Sequence, residues 1–338
     1  MRDLLVAGGG PIGLATGIYA RLAGLSVTVV EPRAAPIDKA CGEGLMPGAV
    51  ARLRELGVHP PGRAFHGIRY VSPTRTAEAR FRAGPGLGVR RTDLHAALMA
   101  RALELGVEQV HGRVDEVVQE SDQVHAAGLR ARWLVAADGL HSPVRRMLGL
   151  ELSTAAAPRF GQRRHFRIPA WADLVEVHWS GTAEAYVTPV ADDVVGVAAL
   201  CGQGRRFEDV LTEFPALVER LGGAVALTEV RGAGPLRQDV AARRRGRVLL
   251  VGDAAGYVDA LTGEGLATGL ATAAAAVQAL ATGRPQDYEQ AWRRATRRYR
   301  LLTGTLLRAS QMPSVRPHIV PAASRLPRLY AGIVDLLA

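Results

Sequence analysis

With 338 residues and 48% hydrophobic side chains, the chain can bury one large core or two modest ones, which excludes a disordered or fibrous protein. Its formal net charge of +10 comes from arginines scattered along the whole length, Lys39 being the one lysine, and clusters such as Arg243–Arg245 and Arg293–Arg300 match no nucleic-acid-reading pattern; a dedicated nucleic-acid module is excluded. Cys41 and Cys201 are too few for a disulfide framework and too far apart for metal-ligand spacing, so no metal site is expected.

No apolar run approaches the ~18–20 residues of a membrane span. The first strand starts without an export signal, so a cytoplasmic protein is expected. That strand, Asp3–Ala7, runs into Gly8, Gly10 and Gly13 in G-x-G-x-x-G spacing, then an apolar helix ending at Gly24 and a buried strand closing on Glu31. The glycines serve three physical ends, Gly8 a tight turn, Gly10 close backbone approach to a pyrophosphate, and Gly13 close packing of helix on strand. The helix N-terminus offers free N–H groups and a partial positive charge to phosphate, and Glu31 offers a carboxylate to a ribose. The unit is a dinucleotide cradle.

The segment Cys41–Gly44 reads as a glycine-flanked turn leading into a helix over Pro47–Leu56. Alternation predicts a hairpin from His66–Val71 and Thr76–Phe81, belonging to a second sheet. A helix follows with Thr92 at its cap and Arg91 just before it. Next come a strand near Val107, a hairpin over Arg113–Ala127, a buried strand over Arg132–Ala136, and a helix capped by Ser142 with Arg145 one turn in. From Arg159 to Cys201 four strands alternate as an antiparallel sheet, followed by a helical stretch over Phe207–Leu221 and a strand over Val225–Arg231. The chain returns to the first domain at Gly246–Gly256, and helices are predicted over Glu264–Ala281, Gln286–Arg308 and Leu326–Leu337. The fold class is therefore α/β, a Rossmann-like domain (1–65, 84–158, 232–285) with an inserted antiparallel-sheet domain (66–83, 159–231) and a C-terminal helical segment (286–338).

Three motifs in order, Gly8–Gly13 with Glu31, "AADGLHSPVRR" (Ala136–Arg146), and "VLLVGDAAGYVDALTGEGL" (Val248–Leu266), resemble the FAD-dependent oxidoreductases of the para-hydroxybenzoate hydroxylase fold. The stretches "DKACGEG" and "GDAAGYVDALTGEG" are similar to the geranylgeranyl reductase branch, and also to actinobacterial flavoproteins found with type III polyketide synthases. The resemblance implies FAD as cofactor, with Gly8, Gly10, Pro11, Ile12 and Gly13 at its pyrophosphate, and Glu31, Pro32 and Arg33 at its adenosine ribose. It further implies Arg91 near the ribityl phosphate, Val114 at the adenine, and Gly252 and Asp253 at the ribityl chain. Lys39, Ala40, Asp138 and Gly139 would lie close to the cofactor. Gly263, Gly265 and Leu266 would aim a helix N-terminus at the flavin N1–C2=O edge, where N–H dipoles stabilise the anion of reduced flavin. Where geranylgeranyl reductases carry tryptophan and phenylalanine before a proline, this chain has Tyr186, Thr188 and Pro189, which argues against a narrow isoprenoid tunnel. Gly256 and Ala260 replace residues common after the "GDA" motif of ring hydroxylases. No W-x-W-x-I-P stretch points to a halogenase.

The expected activity is NAD(P)H-dependent hydroxylation of a lipophilic, phenolic molecule by way of a flavin C4a-hydroperoxide. The alternative is flavin-dependent reduction of isoprenoid C=C bonds. Candidate catalytic residues are Tyr186, Glu43 and Cys41. Period-two alternation puts Glu184, Tyr186 and Thr188 on one strand face. Tyr186 either bonds a substrate oxygen or packs at the sheet edge with its hydroxyl in water. Cys41 either donates a proton or fills a tight turn, and Glu43 is either an acid or a solvated loop carboxylate. His165 and His178, the latter sharing a face with Glu176, are possible phenol bases or hydrogen-bonded sheet residues. Lys39 either steers NADPH or is plain surface charge. The basic, apolar-faced C-terminal helices suit either peripheral membrane contact or packing over the core.

Overall fold

The computed structural model describes residues 1–338. It opens on strand β1 (Arg2–Ala7), helix α1 (Pro11–Leu22) and strand β2 (Val27–Glu31). Pro11 suits the first helical position because its missing N–H would have no partner there, and Leu14 and Ile18 bury the helix on the sheet. Helix α2 (Pro47–Glu55) precedes the hairpin β3 (Gly67–Val71) and β4 (Thr76–Arg80). Helix α3 (Arg91–Glu104), strands β5 (Glu108–His111) and β6 (Leu129–Ala136), and helix α4 (Pro143–Met147) return the chain to the first layer. Four strands follow, β7 (Arg159–Arg167), β8 (Val175–Trp179), β9 (Glu184–Ala191) and β10 (Val194–Gly202). Strand β11 (Val248–Leu250) and helices α5 (Gly265–Ala281), α6 (Tyr288–Gln311), α7 (Ile319–Arg325) and α8 (Pro327–Leu337) complete it.

The cofactor-side sheet runs β11–β6–β1–β2–β5, all parallel, with short antiparallel additions at 244–245 and in a 117–126 hairpin. Parallel strands covered on both faces read as unbroken apolar runs, and Leu4, Val6, Val29, Leu134 and Leu249 form this core beneath α1 and α5. The second sheet runs β7–β10–β9–β8–β3–β4. Its back face, with Ala185, Val187, Val197 and Ala199, packs on Phe207, Val210, Phe214 and Leu217. Its front face turns Tyr186 and Thr188 the other way, toward the interior cavity.

Four expectations need correction. The second sheet is mixed, because β3 pairs parallel with β8, an arrangement local alternation does not encode. Phe207–Leu221 is two short helices, 207–211 and 215–221, because Pro215 has no N–H and restricts the residue before it. The strand over Val225–Arg231 is two scraps, 225–226 and 231–233, laid separately on β7. Thr92 is not the cap of α3: Arg90 occupies that position without a side-chain bond, and the Arg91 N–H is satisfied from outside the helix by Glu43. Ser142 caps α4 as read, its Oγ accepting from the Arg145 N–H at 2.9 Å. Helix α6 joins both layers, with Tyr288 and Trp292 in the first core and Tyr299 and Leu307 in the second.

Candidate active site

One cavity of about 290 Å³ lies between the two sheets. Its cofactor end is made of chain turns. Gly8 sits at φ +101° at the end of β1, and a Cβ on Gly13 would fall inside the van der Waals shell of the Gly8 carbonyl oxygen. Nothing stands within 4 Å of where a Cβ on Gly10 would be, so a ligand can reach the backbone there. Gly10, Pro11 and Ile12 line this end with Arg33, Lys39, Ala40, Arg91, Asp138, Gly139 and Asp253, and the N-terminus of α5 enters through Gly263, Gly265 and Leu266. Glu31 is held beside it, accepting from the Gly9 N–H at 2.8 Å and from Arg33 at 2.7 Å. Burial pushes this carboxyl up, but those bonds outweigh it and leave it below its usual value. Pro32, Val114 and Gly252 stand behind the lining; Val114 is buried in the first core, and Gly252 packs on Ile12.

These residues fit FAD. The Arg91 Nε and Asp138 Oδ1 atoms are buried without a partner at the cavity, and a buried orphan of this kind marks a place where a polar ligand belongs. Burial pushes the Asp138 carboxyl up against bonds from Ser142 and the Val144 N–H.

The substrate end is built by side chains of the second sheet, Ile68, Val175, Val177 and Leu200, with Phe65 and Leu236. Tyr70, Tyr186 and Tyr257 also line it. Tyr186 is not at a sheet edge with its hydroxyl in water: β9 is an interior strand, and the Tyr186 hydroxyl donates to the Leu261 carbonyl at 2.9 Å. Burial pushes all three phenols up, so they stay neutral.

The loop carrying Cys41 is pinned to the second sheet by a buried charge cluster. Glu43, in a left-handed conformation at φ +59°, accepts from the Arg91 N–H at 2.8 Å and contacts His165 Nε2 at 2.6 Å. Arg163 bonds Asp38 and the Lys39 carbonyl, and approaches the His165 ring at 3.1 Å. The Thr188 hydroxyl donates to the Gly42 carbonyl at 2.7 Å. Glu43 is thus neither a solvated carboxylate nor a free acid, because both its oxygens are spent fixing the loop. His165 is likewise spent, and it is no free base for a substrate. His178 lies on the back face, 3.2 Å from Glu176, whose carboxyl is held at about 2: burial raises it, and bonds from His178, Trp171 and Arg69 outweigh that. Cys41 is half-buried on the cavity wall, and Cys201 is buried in the third core. Lys39 lines the cavity with its Nζ 3.6 Å from a Cβ position on Gly139, so it is no plain surface charge.

A family model described as an FAD binding domain matches residues 1–163. The chain is 28% identical over 337 residues to the menaquinone reductase of Mycolicibacterium smegmatis, covering 86% of this chain and 79% of that one. It is 30% identical over 304 residues to digeranylgeranylglycerophospholipid reductase 1 of Methanopyrus kandleri, covering 79% of this chain and 77% of that one. The chain belongs to the FAD-dependent oxidoreductases of the para-hydroxybenzoate hydroxylase fold. The solved structure of the flavin-dependent brominase Bmp2 aligns with a TM-score of 0.85 over 99% of this chain and 93% of that one at 19% identity, a likeness of fold alone.

Within this FAD-dependent oxidoreductase, sequence reasoning missed Tyr70 and Tyr257, although the alternation Ile68–Tyr70 in β3 carries the signal for the first. It also missed Asp38 and Arg163. Their pairing joins residues 125 positions apart, and only the packed chain reveals it.

Proposed function

We propose that this flavoprotein oxygenates a lipophilic molecule bearing a phenolic ring, with NAD(P)H as the electron donor. The observation that supports it is the pair of phenols on the apolar cavity wall, Tyr70 and Tyr257, whose hydroxyls make no hydrogen bond within the protein. A hydrocarbon chain would leave both unpaired, at roughly 1–3 kcal/mol each, whereas a hydroxylated ring pairs them. Bound FAD supplies two-electron transfer and oxygen activation; one oxygen atom enters the ring and the other leaves as water.

The protein's part is binding, orientation and water exclusion. The Tyr186 hydrogen is spent on Leu261, so its oxygen lone pairs accept from a substrate O–H. As a neutral phenol it positions that hydroxyl rather than removing its proton. Phe65, Val177, Leu200 and Leu236 wall the ring away from water. Arg91, Asp138 and the N-terminus of α5 would hold the cofactor, the last favouring negative charge at the flavin edge.

Reduction of isoprenoid C=C bonds is a second reading, favoured by the Cys41 thiol on the cavity wall as a proton donor to carbon and by the two relatives named as reductases. Purified enzyme, NAD(P)H and an alkylated resorcinol separate the two. Oxygen consumption matched to a product one oxygen atom heavier supports oxygenation. Full turnover of an isoprenoid quinone under strict anaerobiosis, giving a product whose isoprenoid side chain is two hydrogens heavier, overturns it.

A further inference from the structure

Helix α8 is apolar on two sides. Its inner side buries Tyr330, Val334 and Leu337 in the second core, with Leu337 itself on the cavity wall, and the Ala338 carbonyl accepts from the Gly48 N–H of α2 at 2.6 Å. Its outer side presents Leu329, Ile333 and Leu336 at relative exposures of 59%, 39% and 47%, with Leu326 at 54% just before the helix. Spacings of four and three residues set these side chains in one stripe. Scattered exposed leucines need no explanation, but a continuous stripe on one helix does.

The charge beside the stripe identifies what covers it. Arg325, the last residue of α7, and Arg328, in the first turn of α8, are exposed, and Arg82 lies alongside, its Nε 3.0 Å from Asp335. Asp335 is the one acid on α8, and that ion pair neutralises it. An apolar stripe flanked by guanidinium groups complements a surface with negative headgroups over an apolar interior. No helix of the chain is long and apolar enough to cross a membrane, so contact of this kind is confined to the interface.

We infer that the outer face of α8 docks on an anionic bilayer, placing against the lipid the same helix whose inner face closes the cavity. A lipophilic molecule in the outer acyl region then has one helix between it and the site.

Vesicles of phosphatidylglycerol and phosphatidylcholine, compared with phosphatidylcholine alone, test this by co-sedimentation of the FAD-loaded protein. The wild type is expected to sediment with the anionic vesicles and to be released by salt. The variant L329S/I333S/L336S and, separately, R325E/R328E are expected to bind on the order of tenfold less, with unchanged flavin absorbance per chain, since all five positions are exposed. Failure of the wild type to sediment with anionic vesicles overturns the inference, as does wild-type binding by both variants. So does a wild type that ultracentrifugation shows to be a dimer dispersed by L329S/I333S/L336S, because the stripe would then belong to a second copy.

Discussion

The two ends of the cavity are built by different means. At the cofactor end a ligand meets backbone turns, at Gly10 with Gly8 and Gly13 packing that turn, at Gly139, and at Gly263 and Gly265 by the mouth of α5, together with the Arg91 and Asp138 side chains. At the substrate end it meets side chains, and these are held by two buried ionic clusters. One joins Asp38, Glu43, Arg163 and His165 beneath the Cys41 loop. The other joins Arg159 to Glu184 at 2.8 Å and to Asp259 at 2.9 Å, with Arg316 on Glu184 at 2.7 Å. A turn packed as tightly as Gly8 and Gly13 tolerates no added atom. A side-chain site can be retuned residue by residue, so substrate choice can diverge on a constant flavin end.

The sharpest break of this contrast is Gly13→Ala. The added methyl meets the Gly8 carbonyl oxygen, which cannot move without displacing β1, so the expected outcome is a chain without FAD and destabilised by about 3 kcal/mol or more. Flavin absorbance per chain and denaturant midpoints read it out. At the other end, Arg159→Ala strands the Asp259 carboxylate in the interior and leaves Glu184 with Arg316 alone. Removing one partner of a buried pair costs about 3–5 kcal/mol, so a lowered urea midpoint is expected, with FAD stoichiometry unchanged in the folded fraction.

Glu264 lies at the cap of α5, between the cavity-lining Gly263 and Gly265, with Oε2 buried and unpartnered. Burial raises its carboxyl from 4.5 to about 7, with Arg298 pulling the other way. The folded state therefore holds a proton that the unfolded state has released. The stability this gives is whole below about pH 4.5 and lost as pH rises through about 7. Urea unfolding between pH 5 and 8 is expected to show a fall of about 2–3 kcal/mol in the wild type and a flatter profile in Glu264→Gln. An equal fall in both would assign the pH dependence to another group.

The same contrast governs what the sequence discloses. The cofactor end is local: Gly8 to Glu31 is one continuous unit whose spacing encodes its shape, and Ser142 reaches only to Arg145. The strands from 159 to 202 follow from alternation, which also turns Tyr186 inward. Alternation says nothing of partners, however. Glu184 points the same way as Tyr186, yet it ends in an ion pair with Arg316, 132 positions away. Thr92 has the right chemistry for a cap, but Glu43 reaches Arg91 from another part of the chain. Tertiary partners of this kind override local propensity.

A smaller effect tests the loop. Glu43→Gln keeps an acceptor for the Arg91 N–H but gives up the charge facing His165 and Arg163. A loss of about 1–2 kcal/mol is expected. Cys41 should also be alkylated several-fold faster as its loop loosens, and Cys201 is buried and adds little background.

Tyr186→Phe removes one oxygen and no ion pair, so it probes the substrate end alone. The Leu261 carbonyl loses its donor, and a substrate hydroxyl loses its acceptor. A neutral hydrogen bond is worth about 1 kcal/mol, and 1.4 kcal/mol is a factor of ten, so KM for a phenolic substrate should rise about five- to tenfold. The rate of flavin reduction by NAD(P)H should stay as it was, and a greater share of the reducing equivalents should be lost as hydrogen peroxide because the ring is no longer held in register. KM for the phenolic substrate is the discriminating quantity: if the variant leaves it unchanged, Tyr186 moves out of substrate binding and the reductase reading gains.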